Sequence, residues 1–303
     1  MTTAQYENKG PADCTTPLDL TNLKEKSIIV TGGSSGLGAA YVRSFIDAGA
    51  FVTIADLKPN TEPLPETRVQ FIKCDVRNWA EQVEVFKAAI ANSPQKSIDI
   101  VVANAGVAGP DPLFQPDEGD EPKEPDLKII NINFIGVVYT TKLAMHYFIR
   151  QPDDSSRDRC LILKSSLAGY MDISGSPSYQ SAKFGVRGLM CNLRHAGRFR
   201  VNVVAPWFIA TPIMSEKVVE TLVPQLKSAG SEFAEVGDSV NAVLRVATDK
   251  SISGRSLAVV PRSACAQGYL DLDHDDFKEG DIMYQLQSVC LGVTHRRLPA
   301  HQQ

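Results

Sequence analysis

The sequence of 303 residues contains no apolar run approaching the roughly 20 residues that cross a bilayer as a helix. Its first residues, MTTAQYENKGPADCTTP, are polar and lack the apolar core of a secretory signal. The formal net charge of −4 provides no basic surface for nucleic acid or for an anionic membrane. We therefore expect a soluble cytoplasmic protein without a nucleic-acid or membrane partner.

Metal-binding and disulfide patterns are missing as well. The six cysteines are scattered, form no C-x-x-C pair and have no histidines at ligand spacing. Such scattering is more typical of reduced thiols in the cytosol than of a disulfide framework or a zinc site. We therefore expect no bound metal.

What is present is a regular alternation of apolar strands and helical patterns. Strands are predicted over residues 27–31, 51–56, 69–75, 98–106, 160–166, 199–206 and 255–261, and helices over 36–49, 78–92, 126–149 and 177–195. Strands that are apolar on nearly every residue are typical of a parallel sheet covered on both faces. The predicted fold class is therefore α/β, with a single Rossmann-type doubly wound parallel sheet and helices on both faces.

One domain, residues 21–262, is expected between a polar leader at 1–20 and a carboxyl-terminal extension at 263–303. Within the domain, the apolar segment 207–235 is expected to form a substrate lid, because ligand pockets are mostly apolar. The proline-rich acidic stretch 109–126 is expected to be a surface excursion. The acidic run DLDHDDFKEGD in the extension is given no role, because such runs are usually solvated surface.

The turn TGGSSGLG, residues 31–38, follows the first predicted strand and precedes a helix. A phosphate loop of the ATPase kind needs Gly-Lys-Ser/Thr at its end, which this turn lacks. Its glycines instead permit close approach of a pyrophosphate to the helix amino terminus. The second strand ends in Asp56, which can accept hydrogen bonds from the adenosine ribose and repel a 2′-phosphate. This favours NAD, and Lys58 leaves NADP as the alternative.

Further motifs follow the turn in order. They are CDV (74–76), NAG (104–106), NINFIG (131–136), KSSLAG (164–169), YQSAK (179–183) and VNVVAPWFIATPIM (201–214). Together they resemble the short-chain dehydrogenase/reductase family over about residues 24–262. The resemblance implies a cofactor site made of Gly32, Ser34, Ser35, Gly36, Leu37, Gly38, Asp56, Asp75, Val76, Asn104, Ala105, Gly106, Tyr179, Lys183, Ile209 and Thr211.

Tyr179 and Lys183 are four residues apart, which places both on one face of a helix. A phenol has an ordinary pKa of about 10, and a neighbouring ammonium should lower the pKa of Tyr179 toward neutrality. The tyrosine would then exchange a proton with an alcohol or carbonyl while hydride moves to or from the nicotinamide. The resemblance implies that Ser166, and not its neighbour Ser165, holds the reacting oxygen, and that Asn133 supports a proton relay.

The family's usual Pro-Gly reads Pro206-Trp207 here, so Trp207, Phe208 and Met214 are expected to line the substrate pocket. The chain looks like fungal secondary-metabolism members of the family, which oxidise a secondary alcohol on a bulky scaffold. The expected function is NAD-dependent hydride transfer between the cofactor and a secondary alcohol or ketone of a bulky hydrophobic substrate. The alternatives are an NADPH-dependent carbonyl reductase and a non-redox cyclase or nucleotide-binding protein. The resemblance also implies a homodimer or homotetramer, paired through the helices at 126–149 and 177–195.

Overall fold

Continuous apolar runs form the strands of a sheet in the computed structural model, which describes residues 6–152 and 157–294. The strands are β1 Ser27–Thr31, β2 Phe51–Asp56, β3 Val69–Lys73, β4 Ile100–Ala103, β5 Cys160–Lys164, β6 Arg200–Pro206, β7 Ser256–Val259 and β8 Tyr269–Asp271. Their order is β3-β2-β1-β4-β5-β6-β7-β8. All neighbours pair in parallel except β7 and β8, which are antiparallel.

Helices cover both faces of this sheet. They are α1 Gly36–Asp47, α2 Trp79–Asn92, α3 Lys128–Ile130, α4 Gly136–Arg150, α5 Pro177–Leu193, α6 Glu216–Ser228, α7 Val236–Thr248 and α8 Ile282–Val293. Alternate strand residues serve opposite faces, because side chains point to opposite sides of a strand with period 2. Val30 packs in the layer with α1 and α7, whereas Ile29 packs in the layer with α2, α4 and α5. The predicted fold class is confirmed.

The direction of the strand order reverses at β1, because β2 and β3 lie on one side of it and β4 on the other. The carboxyl ends of β1 and β4 are therefore adjacent, and Val30 of β1 pairs with Val102 of β4. Open parallel sheets bind ligands in the crevice outside such a reversal point. This crevice receives the glycine-rich turn from β1 and the NAG segment from β4.

Several elements differ from the sequence-based expectations. The helix predicted at 126–149 is interrupted by a π-helical turn, Asn131–Ile135, between α3 and α4. Helix α7 was not predicted, and it buries the charged residues Asp238 and Arg245 together with its apolar ones. The segment 207–235 contains α6, and the extension contributes β8 and α8. Residues 1–5 of the leader and 295–303 of the extension lie outside the described residues.

The acidic run of the extension is not simply solvated surface, so that expectation is wrong. Asp271, Asp273 and Asp276 all form ion pairs with Arg255, which leads into β7. The same carboxylates bind the leader, because Asp271 accepts from the Ala12 N–H at 2.8 Å. Asp276 also accepts from the Tyr6 hydroxyl at 2.8 Å. Arg255 and its carboxylate partners therefore tie the segments around residues 6–12 and 271–276 to the sheet.

No helix within residues 6–152 and 157–294 combines the length and apolar character that a membrane crossing requires.

Arg255→Met tests this fastening. Both Arg255 and Asp271 have largely buried side chains, 7% and 2% exposed, and a buried carboxylate that loses its cation is costly. We expect the variant to lose about 3 kcal/mol of unfolding free energy, measured by urea denaturation. The matched control is Arg43→Met, whose exposed pair with Glu62 at 3.4 Å should contribute less than about 0.5 kcal/mol. Equal losses in the two variants would contradict the role of Arg255.

Candidate active site

The glycine-rich turn is locked against the end of β4. A Cβ on Gly32, whose φ is +64°, would lie 2.8 Å from the Cα of Ala105. A Cβ on Gly38 would collide with the carbonyl oxygen of Gly32. The side-chain amide of Asn104 donates to the carbonyl oxygens of Thr31 and Gly32 at 3.0 and 3.1 Å. Close backbone contact therefore requires glycine at both positions and fixes the turn.

The first turn of α1 has the character of an anion site. Ser35 at the N-cap makes no side-chain hydrogen bond to the helix, so the first amides lack a protein cap. The Ser34 hydroxyl is buried without a hydrogen-bond partner. Gly36 opens the helix with a φ of +52°, and the Cβ of Thr211 lies 3.6 Å from where a Gly36 Cβ would be. Uncapped amides at a helix amino terminus attract phosphate, so these residues fit a pyrophosphate.

The adenosine end of the predicted site contains two carboxylates in different settings. Asp56 at the end of β2 accepts from the Ser34 N–H at 2.9 Å, which ties it to the glycine-rich turn. Asp75 pairs with Arg77 at 2.6 Å, and these hydrogen bonds hold the pKa of its carboxyl below the usual range. Val76 is buried against the position of Gly136. Asp56 therefore lies beside the turn, whereas the carboxylate of Asp75 is occupied by Arg77.

Helix α5 carries Tyr179 and Lys183 one turn apart. The Lys183 amine lies 5.4 Å from the centroid of the Tyr179 ring and donates to the carbonyl oxygen of Lys164 at 3.1 Å. Burial lowers the pKa of Lys183 to about 8. Burial raises the pKa of Tyr179, and a hydrogen bond with Ser166 only partly opposes that rise.

The expectation that Lys183 lowers the pKa of Tyr179 is therefore wrong for this structure. The amine lies over the ring face and is directed at the Lys164 carbonyl, not at the phenol oxygen. Its own burial also makes it a weaker cation.

The two adjacent serines have different contacts. Ser166 donates to the carbonyl oxygen of Pro206 at 3.3 Å and accepts from the Ala168 N–H at 3.2 Å. It also lies close enough to Tyr179 to lower the pKa of that phenol. Ser165 is buried, and its hydroxyl donates to the backbone carbonyl of Lys183 at 2.9 Å. The structure thus brings Ser166 to Tyr179 and uses Ser165 to hold α5 against β5.

Asn133 lies in the π-helical turn and is fully buried. Its side-chain amide exchanges two hydrogen bonds with the backbone of Val107, both at 2.8 Å. Gly106 lies between Asn133 and Lys183, because a Cβ there would be 3.2 Å from the Asn133 Oδ1 and 3.8 Å from the Lys183 Nζ. The asparagine therefore holds the segment that faces the lysine, and its part in a proton relay stays a prediction.

The segment after β6 begins with a tethered indole. Trp207 donates through Nε1 to the carbonyl oxygen of Glu232 at 3.1 Å and packs edge to face on Phe208, with ring centroids 4.9 Å apart. Trp207 also packs against the core layer of α1 and α7. Ile209 is buried, whereas Met214 is half-buried. The indole is thus engaged with its own loop, and a substrate contact for it stays a prediction.

Sequence reasoning missed Lys164, which ends β5 and is buried. Its amine donates to the Tyr41 hydroxyl of α1 at 2.7 Å, and that hydroxyl lies 2.6 Å from the Ser239 hydroxyl of α7. Burial holds the pKa of Lys164 well below its usual range, and the nearby charge of Lys183 lowers it further. The signal in the sequence is a lysine inside the apolar run CLILK, which demands a polar partner in the core.

Lys164→Met gives a pH-dependent test of this buried amine. Burial lowers the pKa of the amine when folded, so the unfolded chain binds more protons between that lowered pKa and a pH of about 10. Within this window the stability of the wild type should rise with pH by up to about 1.4 kcal/mol per unit from this group, and the variant should lack that rise. Urea denaturation at about pH 7 and 9.5 measures it. Parallel pH dependences would show that Lys164 stays charged when folded.

Comparison with known proteins adds four matches. A family model described as short chain dehydrogenase matches residues 26–221. A 5'-hydroxyaverantin dehydrogenase of Dothistroma septosporum is 36% identical over 90% of this chain and 95% of its own. The 5'-hydroxyaverantin dehydrogenase stcG of Emericella nidulans is 34% identical over 92% of this chain and 96% of its own. The ligand-free aldohexose dehydrogenase of Thermoplasma acidophilum shares the fold, with a TM-score of 0.66 and 24% identity over 79% of this chain and 94% of its own.

Proposed function

The chain belongs to the short-chain dehydrogenase family, and on that premise we propose that it oxidises a secondary alcohol of a bulky hydrophobic substrate with NAD. Membership makes it an oxidoreductase that acts on CH–OH groups with a nicotinamide dinucleotide, NAD or NADP. One observation carries the finer proposal: Ser166 lies close enough to Tyr179 to lower the pKa of its phenol, and the buried amine of Lys183 lies over the Tyr179 ring, 5.4 Å from its centroid.

The dinucleotide would lie along the carboxyl edge of the sheet. The uncapped start of α1 suits its pyrophosphate, and Asp56 suits its adenosine ribose. We place its adenine near Asp75 and Val76, and its nicotinamide near Ile209 and Thr211. When bound in oxidised form, the group supplies a hydride acceptor and a positive charge.

Tyr179 would accept the proton of the alcohol hydroxyl, while the Ser166 hydroxyl holds the reacting oxygen. Because burial raises the pKa of Tyr179, its phenolate needs positive charge nearby. That charge would come from the oxidised nicotinamide, while Lys183, whose amine lies 5.4 Å from the centroid of the Tyr179 ring, would help to hold the tyrosine in place. Asn133 would support the path by which the proton leaves Lys183.

Single replacements of Tyr179 and Ser166 test their proposed roles in catalysis, and replacement of Ser165 is the matched control. Tyr179→Phe should abolish turnover and leave NAD affinity unchanged, because only the proton acceptor is lost. Ser166→Ala should lower kcat by at least about 100-fold, the usual contribution of such a hydroxyl. Ser165→Ala should instead lower the melting temperature and retain most of the kcat, because its hydroxyl bonds only the backbone of the helix and loop. Full turnover by Tyr179→Phe would overturn the proposed mechanism.

Asp56 is the basis for proposing NAD. Its carboxylate at the ribose end would repel a 2′-phosphate, whereas exposed Lys58 two residues later could attract one. Titration calorimetry should give NAD an affinity at least about tenfold above that of NADP, or 1.4 kcal/mol. Asp56→Ala should reduce the difference between the NAD and NADP affinities, and Lys58→Ala should leave the NAD affinity unchanged. Preference for NADP in the wild type would contradict the assignment.

The substrate class rests on the surroundings of the site and on the relatives. Exposed apolar side chains at Ile213, Val218 and Val223 suit a lid over a hydrophobic molecule. The two relatives named as 5'-hydroxyaverantin dehydrogenases support a hydroxyl-bearing secondary metabolite as the substrate. We extend the proposal to a cytoplasmic homodimer or homotetramer, which the family resemblance implies.

A carbonyl reductase is the second candidate, and one observation favours it. A phenol whose pKa is raised stays protonated at neutral pH and can donate to a carbonyl oxygen. Such an enzyme would use NADPH, so the calorimetric comparison of NAD with NADP also separates these two functions.

A further inference from the structure

The two neighbours of Tyr179 in the chain each anchor a different loop. Ser178 donates through both its backbone N–H and its hydroxyl to the carboxylate of Asp111, at 2.7 and 2.8 Å. Gln180 donates through its side-chain amide to the carbonyl oxygen of Met171 at 2.9 Å. The segments that contain Asp111 and Met171 are therefore each bonded to a residue next to the proposed catalytic tyrosine in the chain.

Asp111 is suited to this anchoring. It is buried, and it lies against the amino-terminal turn of α5, where a carboxylate is stabilised by the helix dipole and by unpaired amides. The same carboxylate accepts from the Leu113 N–H at 3.2 Å and begins the 3-10 turn Pro112–Phe114. One side chain thus joins the catalytic helix to a turn that sequence reasoning treated as a surface excursion.

The anchored segments present large apolar side chains to solvent. Leu113 and Phe114 are each 61% exposed, and Met171 is 39% exposed. The Phe114 ring lies 3.8 Å from where a Cβ of Gly175 would be, in the loop that leads into α5. These side chains stay largely exposed, although each lies on a segment that is bonded to a chain neighbour of Tyr179. Clustered exposed apolar side chains beside polar groups are typical of ligand sites.

We propose that Leu113, Phe114 and Met171 form an apolar rim that selects substrates with a flat aromatic ring system next to the reacting alcohol, and that Asp111 is the positioning residue that holds this rim. The inference rests on the proposed function, because it assigns the rim to the substrate of that reaction. Phe114 offers a ring face or edge for aromatic contact, and Leu113 and Met171 offer apolar and sulfur contacts. Asp111 acts through Ser178 and does not touch the substrate.

The experiment compares a ring-bearing substrate with a small one. Oxidation of 1-(2-naphthyl)ethanol and of 2-butanol is measured with NAD, and binding of the ketone 2-acetylnaphthalene is measured by calorimetry with NADH present. Phe114→Ala and Leu113→Ala should each weaken ketone binding and raise the naphthyl KM by about tenfold. The kinetics with 2-butanol and the NAD affinity should stay within about twofold. Phe277→Ala, which removes an exposed ring in the extension, is the matched control and should change nothing.

Asp111→Asn tests the positioning role. The asparagine keeps the shape but offers one acceptor oxygen where Asp111 accepts from both donors of Ser178. We expect the naphthyl KM to rise as in Phe114→Ala, with kcat for 2-butanol and the NAD affinity retained. A merely structural role would instead lower kcat for both alcohols together with the melting temperature.

Failure of the rim and failure of the proposed function are distinguishable. If the wild type turns over the alcohols and the Leu113 and Phe114 variants keep its preference for the naphthyl alcohol over 2-butanol, only the assignment of the rim is overturned. Ketone binding that weakens in these variants, without turnover of either alcohol, would support the rim and overturn the proposed oxidation. No ketone binding by the wild type would overturn the rim, because the rim is assigned to aromatic rings.

Discussion

Burial of the Lys183 amine is the constraint around which the site is organised. A lysine can be placed inside a protein only if its donors find acceptors, and here the carbonyl oxygen of Lys164 accepts at 3.1 Å. That hydrogen bond joins α5 to the end of β5, and Ser165 reinforces it by bonding the Lys183 carbonyl. The same contact between α5 and the end of β5 brings Ser166 close to Tyr179. Because burial weakens the lysine as a cation and the tyrosine as an acid, the proposed proton transfer would depend on positive charge that arrives with the dinucleotide.

The cofactor half of the site is built by a different means, backbone contact. Gly32 lies against Ala105 and Gly38 lies against the Gly32 carbonyl, so closely that neither position tolerates a Cβ. Asn104, which follows β4, holds the turn by donating to the carbonyl oxygens of Thr31 and Gly32. The start of α1 is uncapped and lies at the carboxyl end of β1, where the direction of the strand order reverses. Lys164 connects the two halves, because its carbonyl binds Lys183 while its amine reaches Tyr41 of α1. A single strand end therefore contacts both the helix that carries the proposed acid and base and the helix that faces the pyrophosphate.

Local patterns made much of this predictable. The spacing of Tyr179 and Lys183 fixes their common helix face, and the apolar runs fix the parallel sheet with its two covered faces. What could not be predicted depends on contacts between distant residues. Asp111 and Ser178 are 67 positions apart, and the acidic run of the extension finds its arginine, Arg255, only when β8 folds against β7. Strand β5 is buried throughout, so its sequence gives no alternation from which the direction of Lys164 could be read.

The central claim is that Tyr179 accepts the substrate proton because positive charge beside it offsets the effect of burial. The most direct measurement is an absorbance titration of phenolate formation in the wild type and in Tyr179→Phe, each with and without NAD. The account predicts that NAD causes one additional tyrosine of the wild type to ionise well below a pH of about 10, and that Tyr179→Phe lacks this ionisation. Identical titrations of the two proteins with NAD bound would contradict it, because Tyr179 would then remain protonated and could not serve as the proton acceptor.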